Sequence, residues 1–259
     1  MKDTLHFVHG NGFPSRCYEQ LLKPLSEAYQ CCYLDRVGHS KVYPVTDNWE
    51  YLIQEVIESI RLQAQNPVIA VGHSLGGVLS VLAAIQAPEL FKAVILLDSP
   101  LITRTQSLAI ACSKRLGFID RITPAHRTQG RRKHWTTREE VYAYLKRRSL
   151  FKYFTESCLY DYIDYGMKKD KNGYSLWFDP YIEYLIYRTI PHNLFQYEGQ
   201  LHVPAHLIYG DLSHIIHRRE RRYMEKHYGI KTLEVQGTHM FPFECPTHTA
   251  ALIKHVLNQ

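Results

Sequence analysis

The segment Gly72-His73-Ser74-Leu75-Gly76 sets a serine between two glycines, one residue away on each side. A serine hydroxyl attacks a carbonyl only when a base takes its proton, so this serine has chemistry to offer only if a histidine and an orienting carboxylate reach it. The residues before it, Pro67 to Val71, are apolar and partly β-branched, and Leu75 to Gln86 suits a helix. That pattern predicts a tight strand-to-helix turn. Gly72 and Gly76 would relieve backbone crowding there, and Ser74 would project from the carboxyl edge of a sheet. The start of the helix would offer the Leu75 N–H and its positive dipole end to a developing oxyanion.

Among fifteen histidines, His239 is the best candidate for the base. It lies in GTHMFPFECP (Gly237 to Pro246), after the last strand-like run and before the last helix, where a loop can return it to the sheet edge. A second oxyanion donor is offered by HGNGFPS (His9 to Ser15), in which Gly10 and Gly12 permit a sharp turn that leaves the Asn11 N–H facing the site. No phosphate-binding glycine pattern follows a strand, so nucleotide binding is not indicated. The six cysteines show no C-x-x-C pairing and the histidines no H-E-x-x-H spacing. They read as reduced thiols, with Cys31 and Cys32 in a buried strand, and neither a metal nor a cofactor is expected.

The elements that must position these residues follow from periodicity. Thr4 to Val8, Cys31 to Leu34, Pro67 to Val71, Ala93 to Leu97, Ala205 to Tyr209 and Thr232 to Val235 read as strands. Arg16 to Tyr29, Trp49 to Gln65, Leu75 to Gln86, Thr137 to Lys152, Pro180 to Arg188 and Thr247 to Leu257 read as helices. Alternating β and α segments imply a parallel sheet covered on both faces. Strand signal vanishes between residues 101 and 200, where seventeen Lys and Arg face ten Asp and Glu and eleven of nineteen tyrosines gather. We therefore expect an α/β core formed by residues 1–100 and 201–259, with residues 101–200 as a helical insertion between its fourth and fifth strands.

The motifs together resemble the α/β-hydrolase family. HGNGF is similar to its oxyanion segment, DRVGHS (Asp35 to Ser40) to its D-x-x-G-H-[GS]-S turn, GHSLGG to its nucleophile elbow and GTHMFPFECP to its histidine loop. Only eight residues precede His9, which implies an α/β-hydrolase fold lacking the usual first two strands, with about six strands, all parallel. The resemblance implies a triad acid in one of two places. Asp98, in LLDSP, matches a subset of the family with the acid one strand early, and the GDLS segment at the later site fits that subset; Asp211 is the alternative.

The resemblance further implies a lid whose aromatic residues, among them Phe151, Tyr153, Phe154, Tyr160, Trp177, Phe178, Tyr181 and Tyr184, line an apolar pocket or form the lid's own core. The activity implied is hydrolysis of a carboxylic ester with an apolar acyl or alcohol part through an acyl-enzyme on Ser74. Thioesterase, lactonase or carbon–carbon bond hydrolase chemistry on the same triad, and a non-catalytic binding protein on this scaffold, are the alternatives. The net charge of +6 is read as solvated helix faces rather than nucleic-acid binding. The amino terminus lacks the apolar block of a secretory signal and no apolar run is long enough to span a bilayer. The expectation is thus a cytoplasmic protein with a small ester-like substrate and no stable membrane association.

Overall fold

The computed structural model describes residues 2–128 and 130–258. A six-stranded sheet is built from β1 (Thr4–Val8), β2 (Gln30–Leu34), β3 (Val68–His73), β4 (Phe91–Leu97), β8 (Ala205–Gly210) and β9 (Lys231–Val235), in the order β2-β1-β3-β4-β8-β9. Every pairing is parallel. This is the α/β-hydrolase arrangement, with the six parallel strands expected. The chain leaves β1 for β2 on one side and returns to β3 on the other, which makes the carboxyl ends of β1 and β3 the switch point where such sheets open a crevice.

The central strand β3 is buried along its whole length, so both faces must be apolar and its sequence runs VIAV without alternation. Helix α2 (Glu50–Gln63) buries Leu52, Ile53, Val56, Ile57 and Ile60, the three-and-four spacing of one helical stripe. Helix α3 (Leu75–Gln86) is apolar around most of its surface because it lies deep against the sheet, and every residue from Leu75 to Ala84 is buried. Helices α1 (Glu19–Ser26) and α11 (Pro246–Leu257) contribute Leu21, Leu25, Ala250 and Ile253 to a separate apolar cluster that also holds Ile69 and Val71 of β3. Cys31 and Cys32, expected in a buried strand, are only half-buried because β2 is an edge strand.

Between β4 and β8 the chain forms α4 (Arg104–Arg115), the short α5 (Ile119–Ile122) and α6 (Ala125–Thr128), α7 (Arg138–Lys146), α8 (Glu156–Tyr165) and α9 (Pro180–Arg188). The segment is not wholly helical as expected. Three short strands, β5 (His134–Trp135), β6 (Met167–Asp170) and β7 (Gly173–Leu176), form an antiparallel sheet in the order β5-β7-β6. In β6 only Met167 is buried and Lys168, Lys169 and Asp170 face solvent, so the strand has no apolar alternation to read. The hairpin rests on turn chemistry instead: Asp170 Oδ1 accepts the Asn172 N–H at 2.7 Å and Gly173 takes φ +124°.

Helix α10 (Arg218–Tyr228) was not expected from periodicity either, because Met224 and Tyr228 are its only buried apolar residues. The expected helix from Arg16 begins as a 3-10 turn at Ser15–Tyr18 and ends at Ser26, and that from Thr137 stops at Lys146 before a second 3-10 turn. Of the aromatic residues expected in the segment's core or pocket, Phe151, Phe154, Phe178 and Tyr184 are buried, whereas Tyr153, Tyr160 and Tyr181 are exposed.

Candidate active site

The four loops at the carboxyl edge of the sheet bring the expected residues to one place. Ser74 follows β3 directly and adopts φ 52°, ψ −115°, a strained conformation for a residue with a Cβ. Its N–H is tied to Leu97 O at 2.9 Å, so the next strand holds the turn from the side. The flanking glycines are obligatory on steric grounds: a Cβ on Gly72 would stand 2.3 Å from Gly76 C, and one on Gly76 would stand 2.0 Å from Val8 O.

Asp98 follows β4 and is fully buried, also at positive φ, 46°. Its Oδ1 accepts the Gly210 N–H at 2.9 Å; its Oδ2 accepts the Ser213 hydroxyl at 2.6 Å and lies 2.7 Å from His239 Nδ1. Burial pushes this carboxyl's pKa up, but the hydrogen bonds from His239, Ser213 and Gly210 and the proximity of His239 outweigh it and hold it below the ordinary carboxylate value. Its ionised state fixes the His239 tautomer: Nδ1 carries the proton toward Asp98, and Nε2 is left to act as a base. Asp211, the alternative acid, accepts the Gly237 N–H at 2.8 Å and so shapes the loop entering His239. Asp98, not Asp211, is thus the carboxylate hydrogen-bonded to His239. A hydroxyl three residues past Gly210 turned out to be a third ligand for Asp98, which the GDLS segment had signalled only by resemblance.

Asn11 is buried in the turn after β1, where the Phe13 N–H bonds Gly10 O at 3.1 Å. Its side-chain amide donates to Glu183 O of α9 at 3.0 Å, which anchors the turn to the segment above it. Among the described residues, no protein acceptor takes the backbone N–H of Asn11 or that of Leu75. His9 supports the same turn from below: its Nε2 accepts the Val37 N–H at 2.8 Å, so Nδ1 donates to Gly10 O at 2.8 Å. Burial pushes His9 down to about 4, which keeps it neutral and this pattern intact.

The segment between β4 and β8 rests on these loops. Phe13 packs within 5.2 Å of Phe243 and 5.9 Å of Phe151 between ring centroids, and Phe154 stacks on Phe243 at 4.6 Å. Arg36, in the DRVGHS turn, donates to Trp177 O at 2.8 Å with its guanidinium 4.0 Å over that ring, and the Asp179 N–H donates to His39 Nε2 at 3.0 Å. Concave surfaces of about 460 and 420 Å³ lie apart from this constellation, one between α4 and α10 and one beside Arg138 and Met167. Among the described residues no group of three or more His, Cys, Asp or Glu could hold a metal ion, and no helix is long and apolar enough to cross a membrane.

Residues that sequence reasoning missed are Tyr18 and His73. His73 is fully enclosed, with its ring 4.9 Å from the His239 ring, and the only sequence signal was its position beside Ser74.

A six-stranded parallel sheet with a serine elbow, a buried acid and a histidine loop at one edge defines an α/β-hydrolase. The chain belongs to the alpha/beta hydrolase family: the model of that family matches residues 7–252. Monoglyceride lipase of Rattus norvegicus is 25% identical over 129 residues, covering 46% of this chain and 43% of that protein. The monoglyceride lipase homolog of monkeypox virus is 31% identical over 128 residues, covering 46% of each. The match therefore spans less than half the length of these curated relatives. Among solved structures, E-2-(acetamidomethylene)succinate hydrolase superposes with a TM-score of 0.80 at 20% identity, covering 100% of this chain and 92% of that one.

Proposed function

We propose that this protein is a serine hydrolase that cleaves a carboxylic ester with an apolar acyl or alcohol group, with residues 101–200 serving as a cap over the site. The reading rests on one observation above all: a buried, ionised Asp98 hydrogen-bonded to His239 at 2.7 Å, at the same sheet edge as Ser74 on its strained elbow.

In this reading His239 Nε2 takes the Ser74 proton as Oγ attacks the ester carbonyl, and Asp98 stabilises the imidazolium that results. The tetrahedral oxyanion is held by the Asn11 and Leu75 N–H groups, whose placement in a turn and at a helix start fixes them before the reaction begins. His239 then protonates the leaving alkoxide, which departs and leaves an acyl-enzyme. Water, deprotonated by the same histidine, cleaves the acyl group and returns Ser74. The monoglyceride lipases among the relatives are consistent with an apolar acyl chain.

Turnover of a p-nitrophenyl ester series of increasing acyl length, run beside Ser74→Ala, tests this. Wild-type turnover should exceed that of the variant by on the order of 10³-fold or more. Equal rates in the two proteins would remove Ser74 from the mechanism.

A further inference from the structure

Three of the four loops that build the site are joined by one buried pair outside the triad. Tyr18 Oη accepts the Gly10 N–H at 3.0 Å, so its own proton points to His73 Nδ1 at 2.7 Å. With Nδ1 an acceptor, the proton of neutral His73 lies on Nε2, which donates to the carbonyl of His239 at 2.9 Å. The chain of bonds runs from the oxyanion turn through the elbow to the histidine loop. Tyr18 and His73 are each only 1% exposed, and their packing leaves no slack: a Cβ on Gly10 would meet His73 Nδ1 at 2.8 Å and Tyr18 Oη at 3.1 Å.

We infer that His73 is a positioning residue, held in one tautomer by Tyr18, which fixes the main chain of His239 relative to Ser74 and the oxyanion turn. This rests on the serine-hydrolase reading given above. His239 is then anchored at both ends, its ring by Asp98 and its backbone by His73. A general base works over a few tenths of an ångström, so a free backbone would cost rate even with the triad intact. Burial, reinforced by the neighbouring His239, pushes His73 down to about 3, so the neutral ring and its Nε2–H donor persist well into acid. Losing the Tyr18 hydroxyl would strand a buried Gly10 N–H and free His73 to change tautomer.

The side-chain amide of glutamine reaches about as far as Nε2 of histidine, and that of asparagine only as far as Nδ1. His73→Gln can therefore keep the bond to His239, whereas His73→Asn can keep only the bond to Tyr18. Two readouts are taken on wild type, both variants and Tyr18→Phe: kcat and KM on a p-nitrophenyl ester, and the low-field proton resonance of His239 Nδ1–H with its exchange against solvent.

His73→Asn should lose about 10- to 100-fold in kcat with KM within about twofold, and its low-field resonance should broaden away. His73→Gln should keep the resonance and stay within about threefold of wild type. Tyr18→Phe, which retains the ring packing, should fall with His73→Asn. Wild-type behaviour of His73→Asn in both readouts overturns the clamp, as does equal loss in His73→Asn and His73→Gln. A wild type that turns over no ester but shows the resonance pattern described would defeat the hydrolase reading and leave the clamp standing.

Discussion

Asp98 combines full burial, a φ of 46° and a negative charge, three costs that a residue kept only for packing would not need to carry. Three donors compensate the charge, and one of them is the histidine it orients. Replacing it by asparagine presents an amide N–H to His239 Nδ1 and favours the wrong tautomer, so Asp98→Asn should cut kcat by on the order of 10³ to 10⁴. Asp211→Asn should leave kcat within about threefold, since an amide oxygen can still accept the Gly237 N–H. Steady-state rates of the two variants decide it, and the reverse pattern would move the acid to Asp211. Ser74, His239 and the pair of candidate acids were legible in the sequence because local motifs carry them. The preference for Asp98 over Asp211 rested on the family resemblance, and the role of Tyr18 was not legible at all. Tyr18 and His73 are 55 residues apart, and nothing short of the fold announces that they meet.

The elements were legible where burial imposes a period. β3 and α3 lie against apolar surroundings, and their boundaries in the structure fall within two residues of those expected from the sequence. The strands of the inserted segment bury only Trp135 and Met167, and helix α10 only two apolar residues, so their sequences record charge and turn chemistry rather than an apolar period. The elbow is the element on which the site depends most, because the backbones of β1 and α3 nearly touch there. Gly76→Ala would place a methyl group 2.0 Å from Val8 O, a contact that only backbone displacement can relieve. The variant should be destabilised by about 3 kcal/mol or more, or fail to accumulate as folded protein. Chemical denaturation compared with wild type measures this, and an unchanged midpoint would contradict the close approach of β1 to the elbow.

At the scale of the whole molecule, buried titratable groups set how stability responds to pH. Burial pushes His6 and His73 down to about 3 and His9 to about 4, so each is neutral when folded and takes up a proton on unfolding below its ordinary value of 6.5. Their contribution is complete above about pH 6.5 and is lost as pH falls toward the folded values. Glu55 acts with the opposite sign: burial raises it to about 7, against a smaller lowering by the Gly38 N–H, and it therefore favours the folded state on acidification from pH 7 to 4.5. Three groups outweigh one. Stability should fall by about 2 kcal/mol between pH 7.5 and 5.5, and Glu55→Gln should make the fall steeper by about the same amount. Denaturant midpoints at the two pH values check both signs, and a protein more stable at pH 5.5 would contradict the neutral burial of these histidines.

The central claim is that Ser74 is the nucleophile, and a fluorophosphonate probe asks this most directly because it reacts with an activated serine whatever the natural substrate. The purified protein is treated with the probe and the adduct located by peptide mass mapping. The account predicts one adduct, on Ser74, absent from Ser74→Ala and slowed by on the order of 10³-fold or more in His239→Ala. No adduct under conditions that label an active serine hydrolase, or an adduct on a different residue, would contradict it.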